Sequence, residues 1–317
     1  GVYGLNPNHL LLENRDGVFV DATERRGYDL KDEGMVTDAI WADMDGDGKD
    51  DLVTVSEWDV PKIHKNSGRR VQRIATSLDS LPGWWNTVEA ADLDNDGDLD
   101  LILGNHGENL HYKPTEGHPM KLWVNDFDGN GTIEQVVTVS QNGKDYPIHQ
   151  KKEVTNQVVS LKKENLRASE YAKRTVQELF PQHIMDESIV KESVISASVV
   201  AINEGNGQFE IQKLPPRAQF SCICDINCSD VNNDGYLDLI MAGNNFEYKP
   251  QFSRLDANYG NVLLGDSNLN FEWQTYDTSG FFIRDEVKHL KALTDNKGNE
   301  FLIAAINEGK PKIFALK

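Results

Sequence analysis

The chain is short of cysteine, of basic residues and of long apolar runs, and each shortage closes off a class of protein. Cysteines number three in 317 residues, all within Cys222-Ile-Cys-Asp-Ile-Asn-Cys228. Three are too few for a disulfide framework, and a two-residue step is not the C-x₂-C spacing of a zinc site. They read as small buried side chains, with room for one local disulfide in an oxidising compartment. No apolar run approaches the ~18 residues of a membrane-spanning helix. Lys and Arg total 32 against 51 Asp and Glu, a net charge of -19, which argues against nucleic acid as a partner because phosphate recognition needs basic surface. Also missing are a G-x-S-x-G elbow, an H-E-x-x-H pair and a glycine loop able to cradle phosphate. Nothing compels an enzyme. The chain opens Gly1-Val2 with neither initiator Met nor signal segment, as expected of a mature or trimmed piece.

What the chain has in excess is acid, arranged in a repeat. Asp92-Leu-Asp-Asn-Asp-Gly-Asp-Leu-Asp100 places carboxylates at loop positions 1, 3, 5 and 9 (Asp92, Asp94, Asp96, Asp100) and Gly97 at position 6, where the backbone turns sharply. Alternate spacing aims successive oxygens at one point, and the peptide carbonyl of Asp98 at position 7 can add another. Hard cations take such oxygen sets, and a flexible loop with many ligands favours Ca²⁺ over Mg²⁺. The spacing recurs at Asp43, Asp45, Asp47, Lys49 and Asp51; at Asp126, Asp128, Asn130, Thr132 and Glu134; and at Asp230, Asn232, Asp234, Tyr236 and Asp238. About four Ca²⁺ sites are therefore expected, and their ions would offset part of the acidic excess.

The acid spacing admits two rival readings. An EF-hand opens the same way but needs a bidentate Glu at position 12. Here position 12 is Thr54, Leu103, Val137 and Met241, and short apolar runs such as Leu101-Ile-Leu103 follow the loops. These read as buried strands, so each loop joins two strands. Asp/Asn/Gly clusters also make ordinary turns, but four copies in register with strands favour metal.

Hairpins alternate with the acidic loops. Residues 9–20 form one around Asp16-Gly17, and the cadence returns at 199–209, 260–273 and 306–314. The unit is thus a loop-joined strand pair followed by an outer hairpin. Four strands recurring at about 40–60 residues predict a β-propeller, all-β, filling 1–317 as one domain. Loop starts at 43, 92, 126 and 230 are unevenly spaced, so insertions must interrupt some units. A degenerate copy, Leu293–Phe301, keeps Gly298 but loses the alternating acids and is expected to be a plain turn. Residues 150–194 carry Val154, Val158 and Leu161, then Ala172, Val176 and Leu179, at helical spacing, with Ser169 as a cap and Pro181 as a stop. They predict two short amphipathic helices inserted within one blade.

Candidate ligand contacts lie in two loops of similar start and end, Gly104–Pro114 and Gly243–Pro250. His106, His111, Tyr112 and Tyr248 are the residues singled out; the plainer alternative is that the tyrosines pack on the blade edge. His106, His111 and His118 share one loop, but their spacing suggests no transition-metal geometry.

Asp92–Asn105 and Asp230–Asn244 resemble FG-GAP/VCBS repeats, the blades of integrin-type β-propellers whose D-x-D-x-D-G-x-x-D loops bind Ca²⁺. The insert, from Tyr146-Pro-Ile-His149 through Glu170–Phe180, is similar to one in large exported VCBS proteins of Bacteroidetes-type bacteria, and Asn14–Thr23 resembles the ASPIC/UnbV-like hairpin. The resemblance implies an extracellular or cell-surface setting, and a ring that commonly closes with seven blades where about five blades or blade parts are visible, so other domains of a longer chain are expected. It leaves the ligand open. The leading expectation is a non-enzymatic binding or adhesion module for a glycan or protein partner. The alternative is a polysaccharide-active enzyme of lyase type using loops around His106, His111 and Tyr112.

Overall fold

A computed structural model describes residues 3–7, 9–162, 167–247 and 254–316. It opens with the expected hairpin, β1 (Leu12–Arg15) and β2 (Val18–Asp21), turning at Asp16 and Gly17 with φ of 52° and 87°. Two successive positive φ values give the tight turn that suits strand twist. The first sheet follows as β3 (Met35–Ala42), β4 (Asp51–Asp59), β5 (Lys62–Asn66) and β6 (Val71–Ile74), antiparallel in that order, with β7 (Gly83–Trp84) on the far end of β4.

The second sheet begins with β8 (Thr87–Ala91) and β9 (Asp100–Gly104), and there the chain leaves it. It builds a whole further sheet from β10 (Met120–Asn125), β11 (Glu134–Gln141), β12 (Lys144–Pro147) and β13 (Ile189–Ser193), in the order β12-β11-β10-β13. Only then does it return as β14 (Val199–Asn203) and β15 (Phe209–Lys213), giving the order β15-β14-β9-β8. The uneven loop spacing has its cause here: the acidic loop at 126–134 belongs to a sheet nested inside another. A regular four-stranded sheet comes next, β16 (Ile223–Ser229), β17 (Asp238–Gly243), β18 (Asn261–Gly265) and β19 (Phe271–Trp273). A three-stranded one closes the described chain, β20 (Val287–Thr294), β21 (Glu300–Ile306) and β22 (Lys312–Leu316).

The sheets stack side by side, which explains why the strands after the loops are continuously apolar. Leu101 and Leu103 face Val53, Val55 and Ile63 of the first sheet, whereas Ile102 between them faces Leu239 and Met241 of the β16–β19 sheet. Ile240 and Ala242 in turn meet Leu290, Leu302 and Ala304 of the last sheet. A strand buried on both faces needs apolar residues at every position, not alternate ones. Carboxylates clasp the stack together: Asp38 on β3 accepts from Val88 N (3.0 Å) and Thr87 Oγ1 (2.8 Å) on β8, and Asp225 on β16 accepts from Leu290 N on β20. Both acids stand beside bulges in their strands.

The helical insertion differs in detail from its expectation. It lies between β12 and β13, but as short turns at Lys151–Gln157, Val159–Lys162, Ala168–Tyr171, Val176–Leu179 and Gln182–Asp186, not two helices. Ser169 falls inside a turn; Thr175 is the residue that caps, in a box with Glu178. Pro181 stops one turn and opens the next, and helix gives way to strand by Ile189, short of 194. Val154, Val158, Leu161, Val176 and Leu179 are buried against Trp123 and Phe127, whereas Ala172 is exposed. Alternation along β10 aims Trp123 at this helical layer and Leu122 and Val124 at Trp58, Trp84 and Leu110.

Candidate metal loops and an aromatic cleft

The four acidic loops adopt one conformation. In each, the carboxylate at position 1 accepts from the backbone N–H groups at positions 5 and 6. For Asp43 the distances are 3.1 and 2.8 Å, for Asp126 3.0 and 2.7 Å, with Asp92 and Asp230 alike. The side chain at position 5 (Asp47, Asp96, Asn130, Asp234) accepts from the N–H at position 7 (Lys49, Asp98, Thr132, Tyr236). Gly48, Gly97, Gly131 and Gly235 take the positive φ required at position 6. Position 4 is left-handed too, at Gly46, Asn95, Gly129 and Asn233. Gly and Asn tolerate that conformation, so the sequence carried a further repeat signal that the acid spacing alone did not use.

Position 9 has a separate task. Asp100 is 1% exposed and accepts from Leu93 N (2.9 Å) in its own loop and Asn203 N (2.8 Å) at the end of β14. Asp238 joins Val231 N and Gly265 N in the same way, and Asp51 reaches Asn66 N at 2.7 Å. Each therefore ties its loop to the last residue of the sheet's third strand. Glu134, in the nested sheet, bonds Phe127 N alone of these two kinds of partner. Burial pushes the carboxyls of Asp51, Glu134 and Asp238 up from the usual range, and that of Asp100 up to about 6. The cause is lost hydration of the charged form.

Three loops gather acids that can hold a metal ion: Asp43, Asp45 and Asp51; Asp92, Asp94 and Asp96; Asp126, Asp128 and Glu134, with one ligand oxygen from each lying within 4.8 Å of the others. The donor set suits a hard divalent cation. The loop at 126–134 adds a sharper indication, because Asp128 Oδ1 and Glu134 Oε1 are buried oxygens without a hydrogen-bond donor. Asp128 Oδ2 also accepts from Val159 N at 3.1 Å, coupling this loop to the helical layer. In the loop at 43–51 the Lys65 ammonium bonds Asp45, and Lys49 pairs with Asp47 at 3.1 Å. In the loop at 230–238 Asn232 donates to Asp234 (2.8 Å), and no three-acid group forms there among the described residues. The degenerate turn is closed by Asp295, which accepts from the N–H groups of Lys297 and Asn299.

The ligand candidates are placed differently from one another. His106 is 6% exposed, stacked on Trp84 at 5.4 Å, and its position suits packing better than contact with a ligand. His111 is exposed and meets the half-buried Tyr112 edge-on at 4.6 Å. Tyr248 lies outside the described residues. Among the described residues no group of three ligand atoms includes His106, His111 or His118. Tyr112 and His111 line a cavity of ≈ 120 Å³ with Tyr3, Trp58, Trp84 and His149, between the nested sheet and the ends of β4 and β7. From Tyr112 and His149 a wider cleft continues past Tyr146, Lys151, Lys152 and Tyr171. Sequence spacing could not reveal Trp58 as part of this site. It holds φ of 59°, a rare conformation for so bulky a residue, and donates from Nε1 to Tyr3 Oη at 2.7 Å.

Fold and loops together define a class: stacked antiparallel sheets whose leading strand pairs are joined by acidic, cation-competent loops. Residues 43–103, from the first loop to the end of the second, match the FG-GAP-like repeat family. The chain is 29% identical over 163 residues to cartilage acidic protein 1 of Xenopus tropicalis and 28% over 162 residues to that of Homo sapiens. These matches cover 42% of this chain and 25% and 24% of the relatives, so the chain spans about a quarter of the curated relatives it matches. A solved structure, BBS1N in complex with ARL6DN soaked with mercury, aligns over 89% of this chain and 79% of its own at 11% identity with a TM-score of 0.24. No helix among the described residues is long and apolar enough to cross a membrane.

Proposed function

We propose that the chain is a calcium-stabilised, extracellular β-propeller module, non-enzymatic, which presents the aromatic cleft beneath its nested sheet to a glycan or protein ligand. The observation that carries this reading is the convergence of acids in the FG-GAP-like loops, with buried oxygens at Asp128 and Glu134 that accept no hydrogen bond. Calcium at each loop would take the side chains at positions 1 and 3 with those at 5 or 9, and the position 9 carboxylate also holds the loop to the sheet. Its contribution is structural: it offsets the repulsion among crowded carboxylates that the fold otherwise forces together. Stacked aromatic faces with a few polar groups suit sugar rings or apolar side chains. Tyr112→Ala, checked for an unchanged melting temperature, should weaken ligand binding on a glycan array or to a captured protein by about tenfold. Unaltered binding would place the ligand elsewhere.

Calcium and protons compete for the same oxygens, so the metal's effect should depend on pH. The position 9 carboxyls of the metal-free fold titrate above their unfolded range. Their protonated forms therefore favour folding at low pH, and that contribution is lost as pH rises through the folded values, near 6 for Asp100. Calcium needs the ionised form. The difference in melting temperature between calcium-loaded and metal-depleted protein should widen from pH 4.5 to 7.5, chiefly around pH 6 (about the Asp100 value). A difference independent of pH would count against carboxylate coordination.

A further inference from the structure

We propose that Cys222 and Cys224 form a dithiol site that exchanges with small-molecule disulfides and closes an intramolecular disulfide across the bulge of β16. In a regular strand, residues two apart have Cα atoms about 6.6 Å apart, at the outer limit of what a disulfide spans. The pairing of β16 with β17 slips between Ile223 and Asp225, leaving Cys224 as the extra residue of the bulge. That irregularity brings Cys224 Sγ to 3.6 Å from Cys222 Sγ. The surroundings fix Cys222 in place: its carbonyl accepts from Asn258 Nδ2 (3.1 Å) and Asn244 N (3.4 Å), and a Cβ on Gly243 would come within 2.0 Å of that oxygen. Cys224 Sγ rests 3.7 Å from the carbonyl oxygen of Asn244.

The two thiols are unequal, which sets the order of events. Cys222 is buried at 2% exposure, whereas Cys224 is only partly buried and meets reagents first. The Cys224 thiolate attacks one sulfur of the incoming disulfide, forming a mixed disulfide and releasing one thiol. Cys222, as thiolate, then attacks the Cys224 sulfur and expels the second. Two cysteine thiols are oxidised, the small disulfide is reduced to two thiols, and the two protons end on the released sulfurs. In the reduced pair the hydrogen bond from Cys224 holds the Cys222 thiol below its ordinary range, and that bond and burial push Cys224 up, so access and not thiolate content makes Cys224 the first to react. Once Cys224 is in the mixed disulfide that bond is gone, and the nearby Lys288 ammonium still favours the Cys222 thiolate that resolves it. Lys288 is itself paired with Glu286 at 2.7 Å.

Cys228 is the internal reference. It packs in a different core, between β16–β19 and the second sheet, and burial pushes its thiol up. The folded chain is equilibrated with excess oxidised glutathione, trapped with N-ethylmaleimide and mapped by peptide mass. The thiol titre should fall from the three of the sequence to one, with Cys222 joined to Cys224 and Cys228 alkylated. Cys222→Ser should instead retain glutathione on Cys224, and Cys228→Ser should leave the pairing intact. Three alkylated thiols, a stable glutathione adduct on wild-type Cys224, or a bridge involving Cys228 or a second chain would each overturn the proposal.

Discussion

Stripping divalent ions from the folded chain should lower its melting temperature by about 20 °C, and Asp94→Ala should reproduce about a quarter of that loss. A site held at a hundredfold excess over its dissociation constant contributes ~2.7 kcal/mol. For a chain of this size each kcal/mol is worth roughly 2 °C, so one loop accounts for about 5 °C and four for about 20 °C. Asp94 isolates the metal's share because it does little else. Its side chain is exposed and accepts one hydrogen bond, from Asp96 N at 3.2 Å. In calcium the variant should melt below wild type. In chelator the two should coincide, or the variant should melt slightly higher, because it carries one carboxylate fewer beside Asp92 and Asp96. Scanning calorimetry in both buffers checks this. Indifference of the wild-type chain to chelation would remove the metal from the account of the loops.

The loops and the strands they join were legible because their signals are local. Carboxylates at alternate positions, a glycine at position 6 and an apolar run such as Leu101-Ile-Leu103 all lie within a dozen residues, and each reflects a short-range demand of backbone or burial. The hairpin at Asp16-Gly17 was readable for the same reason. Nesting is a non-local fact. Nothing between Gly104 and Val199 announces that the chain will add a complete sheet and then resume the one it left, since β9 and β14 pair across that gap as ordinary neighbours would. The third loop therefore read as one more blade. His106 was misleading in a related way. Polar residues in a loop suggest solvent, but here Trp84 stacks over the ring and burial holds its pKa below the usual histidine range. Helical periodicity at Val154, Val158 and Leu161 marked the buried face correctly, yet could not show that the segment is cut into pieces of four to seven residues.

Asp100→Ala should be the more damaging substitution in the same loop, and its cost should persist when the metal is gone. Position 9 is bonded to protein on both oxygens, to Leu93 N within the loop and to Asn203 N on β14. The second bond matters most for the fold, because it fastens the first half of the second sheet to the half that returns after the nested insertion. Truncation leaves two buried N–H groups without acceptors, at ~1–3 kcal/mol each. By the same conversion, the loss is about 4–12 °C before any contribution from the ion. Asp100→Asn separates the causes. An amide keeps the volume and one acceptor and removes a desolvated charge whose folded pKa stands at about 6. In chelator at neutral pH the expected order of stability is therefore wild type, then Asn, then Ala, with Asn close to wild type. In calcium both variants should fall well below it, since neither carries the charge that balances the ion. Denaturant midpoints in the two buffers read this directly. Equal midpoints for Ala and wild type in chelator would mean that the carboxylate serves the cation alone, and that the sheet is held across its interruption by apolar packing of Leu101, Leu103, Val199 and Ala201.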